Sequence, residues 1–471
     1  MSDSGSVHPL PEERVRNIYA DTKAHLIGRW EPRPGQEEAI VVRGEQAYFW
    51  DARGKRYLDF SSQLFNVSLG LGNKTIIEAL KRQLDELCYV SPSYLSLPKV
   101  ELAKRLAEIT PGDLDKCFFG NSGAEANEAA FKAAQLFTGR RKIIGFWDAY
   151  HGSTYGTVSA GGSLRNRNHP GLSILEEFKH IPVPDCYKCP FGKDYPGCDI
   201  TCARFLEYTI EKEGKETVAA FFAEPIHSWG GQIVPPKEFW PIVRHICDEL
   251  GVLLIFDEVM TGFTRTGKMF ACEHWNVIPD IETYAKGITS GYVPLGATVV
   301  NKKMGDYLDE KGFPHSYTYS GHPLACAAAL ATIDYYLKEN LADRTAKMGD
   351  YVMDQLRGIK DRCATIGDIR GKGLFIGLHL VANRETKEEV VPTGLTAQDY
   401  YDPDKNPMAY LTGTCKEKGL MVSMPLAGVG SGVIRIVPCL IITKEQIDEG
   451  LRILEGAILK TEKKFDLPKR A

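Results

Sequence analysis

The feature that most constrains this 471-residue chain is an alternation, between about Leu114 and Val300, of short apolar runs with amphipathic stretches of helical period. KCFFG leads into a helix expected over Ala124 to Phe137. KIIGFW follows, then VAAFFAEP, a helix over Lys237 to Leu250, and VLLIFDEV. These runs are continuously apolar rather than alternating, so each strand must be buried on both faces. Such strands belong to parallel sheets with helices packed above and below. The pattern predicts an α/β fold with a mostly parallel sheet.

The flanks read differently. Gln46 to Phe60 predicts two short strands around a turn at Arg53-Gly54, followed by a helix near Lys74 to Leu87. Beyond Pro323 come helices over Leu324 to Asn340 and Asp343 to Ile359. GDIRGKGLFIGLHL then predicts two strands around a glycine-rich turn, VIRIVP a last strand, and Lys444 to Lys460 a final amphipathic helix. The polar stretch from Asn383 to Pro407, with three prolines, reads as a loop. The expected division is an N-terminal segment (1–65) of a smaller α+β domain, a large α/β domain (66–330) with a cysteine-bearing insertion at 184–203, and a C-terminal segment (331–471) completing the small domain.

Charge excludes several function classes. Fifty-seven basic residues against 61 acidic ones give a net charge of −4 with both signs dispersed, which provides no footprint for nucleic acid or an anionic membrane. Met1 to Leu10 lacks the pattern of a secretory signal, and no apolar run approaches the ~18 residues of a membrane span. A soluble, cytoplasmic protein with reduced thiols is the expectation. Eight of the twelve cysteines (Cys88, Cys117, Cys247, Cys272, Cys326, Cys363, Cys415, Cys439) sit among apolar neighbours and read as small core residues.

Three segments carry chemistry. In FFGNSGAEANEAAFK an apolar strand runs through Ser122, Gly123 and Ala124 into a helix, and such a helix start suits a phosphate, although Ser122 with Glu125 also reads as an ordinary cap. Asp257 ends the buried run VLLIFD, where a carboxylate needs a cationic partner. Lys286 follows a short strand and precedes a run of small residues, a setting in which a desolvated amine becomes a nucleophile. The lysine lies 29 positions after the aspartate. Phosphate nest, buried carboxylate and amine together describe a site for pyridoxal 5′-phosphate.

From about Tyr48 to the last helix the sequence resembles the class III aminotransferases of PLP fold type I. The matching segments are NSGAEANEAAFK, YHGST from Tyr150, AEPI from Ala223, DEVMTGFTRTG from Asp257, AKG from Ala285 and TYSGHP from Thr318. The resemblance implies that Lys286 forms the Schiff base and shuttles a proton, and that Asp257 pairs with the pyridine nitrogen. It implies Val259 and Tyr150 on the two ring faces, and Ser122, Gly123 and Ala124 on the phosphate. Thr318 would reach the phosphate from the neighbouring subunit of a homodimer with shared sites, itself able to form a tetramer, while His151 and Glu224 line the site.

Two departures bear on substrate. The stretch GFGRTG of the family is here GFTRTG, with Thr264 in place of a glycine, which reads as a local structural change. In relatives that act on ornithine or 4-aminobutyrate a glutamate masks the arginine of the last strand; here that arginine is Arg435, but the glutamate position holds Trp229. Arg435 would then be available to the carboxylate of a small 2-oxo acid such as pyruvate. Trp229 with Phe65, and Tyr89 beside them, would give an aromatic wall for an amine or ω-amino acid donor. The arginine that flips in several amine:pyruvate enzymes would fall near Ser423 and is absent.

The insertion holds Cys186, Cys189, Cys198 and Cys202 in a C-x2-C-x8-C-x3-C arrangement. It reads either as a weak structural zinc candidate or as a reduced or disulfide-linked surface loop that serves as scaffold. The leading functional reading is an aminotransferase, and the alternative in the same fold is an amino-acid racemase or epimerase. A decarboxylase or aminomutase is more distant, and a non-catalytic docking protein predicts a colourless one.

Overall fold

The computed structural model describes residues 8–27, 38–163, 173–423 and 430–468. Its largest sheet has seven strands in the spatial order Leu114–Gly120, Gly296–Asn301, Ile281–Tyr284, Leu253–Asp257, Val218–Ala223, Lys142–Phe146 and Phe178–Ile181. Six run in one direction, and Gly296–Asn301 alone runs against both of its neighbours. All six residues of Val218–Ala223 are buried, as their unbroken apolar run predicts. Helix Gly123–Thr138 covers one face. Trp240, from helix Phe239–Leu250, lies in the core on the other, edge-on to Phe256 at 4.6 Å. Its indole N–H donates to the Pro225 carbonyl at 2.9 Å, which fixes the turn after strand Val218–Ala223. That helix starts two residues later than expected, because the chain turns at Pro235-Pro236 and the Phe239 amide bonds back to the Pro236 carbonyl.

A second sheet joins the two ends of the chain. Strands Val41–Glu45, Tyr48–Asp51 and Arg56–Asp59 form an antiparallel set, one strand more than the sequence suggested, and Leu420–Met421 adds to Arg56–Asp59 in parallel. A third sheet is built on Phe375–Asn383, flanked by Ile366–Lys372 and Val433–Ile436. The expected loop at 383–407 contributes strand Glu388–Glu389 to this sheet and a capped helical turn at Ala397–Tyr400.

Arg265 ties these units together. Its buried guanidinium donates to the carbonyls of Leu374 and Pro438 at 3.2 and 2.5 Å and to Ser68 Oγ at 3.3 Å, and burial lowers its pKa to about 10. The preceding Thr264 has φ +67°, in the left-handed region that costs a β-branched residue most. The change from GFGRTG is therefore a strained position and not a neutral one.

Six of the eight scattered cysteines are buried as expected, but Cys88 is exposed and Cys117 only half-buried. Cys88 lies just past the surface end of helix Lys74–Glu86, where no core reaches it. No helix among the described residues is long and apolar enough to cross a membrane.

Beneath the strand ends lies a cluster that the sequence reading missed. Glu258, Cys272 and Glu282 are all buried, with ligating atoms within 4.8 Å of one another. Glu258 accepts from the Cys272 amide at 2.9 Å and from the Thr261 hydroxyl, and Glu282 accepts from the Tyr284 phenol. Burial, then mutual repulsion, raises Glu258 to about 8, and burial raises Glu282 to about 7. These values exceed the ordinary 4.5, so the stability contributed by the protonated pair is complete below pH ~4.5 and is lost as pH rises through 7 to 8. Glu282→Gln removes one of the two titrations. The variant is expected to melt close to wild type at about pH 5 and roughly 3 °C or more above it at about pH 9. Thermal unfolding followed by circular dichroism checks this, and a gap that does not change with pH contradicts it.

Candidate active site

Because six strands end on the same side of the sheet, the segments after Gly120, Phe146, Ala223, Asp257 and Tyr284 converge there, as ligand sites in α/β sheets do. A cavity of about 330 Å³ opens between them, lined by Ser122, Gly123, Ala124, Tyr150, His151, Gly152, Ser153, Asp257, Val259, Met260, Ala285 and Lys286. Of the residues expected at the cofactor, Glu224 and Thr318 are outside this lining.

Asp257 is the buried anchor, 3% exposed. Its Oδ2 lies 2.7 Å from His151 Nδ1 and accepts from Asn127 Nδ2 at 3.0 Å, while Oδ1 accepts from the Val259 amide at 2.9 Å. A carboxylate has about four lone-pair directions. Three are used here, which leaves one for a donor in the cavity. Asn127 was not foreseen. Its Nδ2 also donates to the His151 carbonyl at 2.9 Å, and its Oδ1 accepts from Thr283 Oγ1 at 2.6 Å. The available signal was a single asparagine on the otherwise alanine-rich, buried face of helix Gly123–Thr138, since a buried amide must find partners.

The start of the same helix lines one end of the cavity. Ser122 caps it, its hydroxyl accepting from the Glu125 amide at 3.2 Å. The amides of Gly123 and Ala124 fall in the first turn, where no carbonyl of the helix can pair with them. A side chain at Gly123 would meet Val259 at 3.1 Å, so the glycine lets the helix start lie directly against that valine. Glu128, one turn on, accepts from the Gly156 amide at 3.1 Å and from the Thr154 hydroxyl. It thereby pins the loop that carries Tyr150 to Ser153. Within that loop Gly152 has φ +140°, and a Cβ there would lie 2.5 Å from that of Ala124.

Lys286 follows strand Ile281–Tyr284 at φ +43°, a strained backbone of the kind concentrated at functional sites. Its Nζ lies 2.5 Å from the Met260 sulfur. Burial lowers the amine's pKa, partly offset by the charges of Asp257 and Glu224, so a larger fraction is the neutral nucleophile than for a solvated lysine. Glu224 is buried and accepts from the Ser228 amide at 3.1 Å and from the Ser228 hydroxyl. Burial raises it to about 7, against the opposing pull of His151.

The expected substrate residues divide. Trp229 stacks on Tyr150, with ring centroids 5.3 Å apart and planes inclined by 25°. Arg435 is buried, its Nη2 donates to the Trp229 carbonyl at 2.6 Å, and its Nε has no hydrogen-bond partner among the described residues. Burial lowers its pKa to about 10. Phe65, at φ +62°, packs on the core away from the cavity lining. Thr318 is exposed, and its carbonyl accepts from the Tyr89 phenol at 2.9 Å. The four clustered cysteines are unbridged and line one small pocket near the surface. Among the described residues, the group of three or more ligating atoms that converges within 4.8 Å is the buried glutamate cluster and not these thiols.

The donor set fits pyridoxal 5′-phosphate: a helix start for the phosphate, a carboxylate with one free acceptor direction for the ring nitrogen, and a depressed lysine for the aldehyde. Asn127→Leu leaves Asp257, the His151 carbonyl and Thr283 each short of a partner. It is expected to cost about 2 kcal/mol or more and to weaken cofactor binding roughly tenfold or more. Chemical unfolding and titration of the stripped protein with cofactor check this, and wild-type values in both would contradict the role of Asn127.

Comparison with known proteins agrees with this geometry. The family model for class-III aminotransferases matches residues 32–458. A leucine/methionine racemase of Thermococcus litoralis is 39% identical over 90% of this chain and 91% of its own. A taurine–pyruvate aminotransferase of Bilophila wadsworthia is 35% identical over 92% and 94%. The crystal structure of a taurine:2-oxoglutarate aminotransferase from Bifidobacterium kashiwanohense, in complex with PLP and glutamate, superposes with a TM-score of 0.88 at 34% identity, covering 97% of this chain and 99% of that one. The chain belongs to the class-III aminotransferase family.

Proposed function

We propose that this class-III aminotransferase moves an amino group from an amine or ω-amino acid to a 2-oxo acid such as pyruvate, with Lys286 as the proton carrier. One observation carries the reading: a lysine of lowered pKa, a triply hydrogen-bonded buried aspartate and a capped helix start face one cavity. When bound, pyridoxal 5′-phosphate supplies an electron sink that acidifies the donor's Cα–H bond. Lys286 Nζ would take that proton and return it at the neighbouring carbon. Asp257, held by Asn127 and His151, would keep the ring nitrogen protonated. Ser122, Gly123 and Ala124 would bind the phosphate, with Val259 and Tyr150 holding the ring flat between them.

On the substrate side, Trp229 would bound the donor. Arg435, whose Nε has no partner among the described residues, would take the carboxylate of the acceptor. Two relatives support a donor outside the common α-amino acids, one a taurine–pyruvate and the other a putrescine–pyruvate aminotransferase. The proposed assembly is a homodimer. Thr318 is exposed beside Tyr319, and Tyr94, Leu95 and Leu97 are also exposed, an apolar strip that a second copy would cover. Thr318 of each copy would then complete the other's phosphate site.

While the family model and the taurine and putrescine relatives favour aminotransfer, a second reading, an amino-acid racemase, has one named relative behind it, the Thermococcus litoralis enzyme at 39% identity. It uses the same lysine but returns the proton to Cα. Adding amines, β-alanine and α-amino acids to the purified holoenzyme separates the two. Under the aminotransferase reading one amine bleaches the long-wavelength band of the bound cofactor and pyruvate restores it. If no donor bleaches the band while an α-amino acid loses optical rotation without any 2-oxo acid, the racemase reading replaces it. Lys286→Ala is expected to abolish either activity, by ~10³-fold or more.

A further inference from the structure

Arg370 lies in strand Ile366–Lys372, outside every motif that marks the family resemblance, yet its side chain reaches the segment that follows Trp229. Its Nε donates to the Gly231 carbonyl at 2.7 Å and its Nη2 to the Gly230 carbonyl at 2.8 Å. The remaining edge faces two carboxylates, Asp368 at 3.4 Å and Asp185 at 3.7 Å. The guanidinium is nine-tenths buried. Immediately upstream, the Trp229 carbonyl is taken by Arg435. Three consecutive carbonyls therefore end on two buried guanidinium groups.

The held segment has little other freedom. Gly231 has φ +91°, and a Cβ there would lie 2.7 Å from Val433; one at Gly230 would lie 2.7 Å from Ile233. A planar fork that binds two successive carbonyls fixes a segment in a way that a point charge cannot. Trp229 is the first residue of the segment, and its ring lies against Tyr150 at the cavity wall.

We propose that Arg370 is a positioning residue. By holding the Gly230 and Gly231 carbonyls it keeps Trp229 stacked on Tyr150, and so sets which amine donors the site accepts. The proposal rests on the reading of Trp229 as the donor-side wall. It also gives the cysteine-bearing insertion a purpose, because Asp185, at the start of that insertion, supports the outer edge of Arg370.

Two measurements on the holoenzyme test it. In Arg370→Lys, which keeps the charge but not the fork, hydrogen exchange over 227–233 is expected to accelerate ~10-fold or more with the rest of the chain unchanged. The donor KM is expected to rise ~10-fold with kcat within ~3-fold, and the effect is expected to vanish in a Trp229→Leu background, because Arg370 acts through Trp229. Asp185→Asn, which leaves the fork intact, should shift both readouts in the same direction by ~2-fold to 3-fold, and decides the matter alone if Arg370→Lys does not fold. Unchanged exchange at 227–233, chain-wide acceleration, or multiplicative effects in the double variant would overturn the proposal. If the wild type transfers no amino group, the proposed function fails, while the exchange result still decides whether Arg370 holds the segment.

Discussion

The site depends on one buried carboxylate. Asp257 ends a strand in the middle of the largest sheet, where an isolated charge is costly, and the fold answers with three donors from three places: His151 from a loop, Asn127 from a helix, and the Val259 amide from its own turn. Each bond also fixes the element it comes from. Asn127 orients the helix whose first turn lines the cavity, and His151 holds the loop that carries Tyr150. Val259, drawn back by its amide, presses against Gly123. The carboxylate that is costly to bury is thus the point around which the helix start, Val259, Tyr150 and the lysine are set.

Much of this was legible in the sequence. Apolar runs without alternation identified the parallel sheet, because only strands covered on both faces tolerate them. Ser122, Asp257 and Lys286, which the structure brings to one cavity, were picked out because strand ends and helix starts are where such chemistry can be built. Asn127 was missed because its role depends on a partner 130 positions away, and nothing local distinguishes it from a tolerated helix asparagine. Glu282 was missed for a related reason. A glutamate in a four-residue strand looks solvent-facing until the strand proves central and every position in it is buried.

The same limit applies to the substrate side. Arg435 and Trp229 were both picked out, but their relation, a guanidinium on the tryptophan's own carbonyl, is a property of strands packed side by side and not of spacing. Thr264 shows the reverse. Its departure from glycine was visible, but the left-handed backbone that makes it strained was not. The strain sits next to Arg265, which donates to Ser68 and to the Leu374 and Pro438 carbonyls beside the third sheet, and so lies at a joint between sequence-distant parts of the fold.

Under the proposed function Asp257, with its remaining acceptor direction, would hold a protonated ring nitrogen in the cavity. Nitrogen-15 NMR of the protein reconstituted with ring-labelled pyridoxal 5′-phosphate tests it directly. The account predicts the chemical shift of a protonated pyridinium throughout about pH 6 to 9, because a buried carboxylate beside the ring favours the charged form over that whole range. A neutral pyridine shift, or a titration within the range, would mean that Asp257 does not hold the ring and would contradict the account.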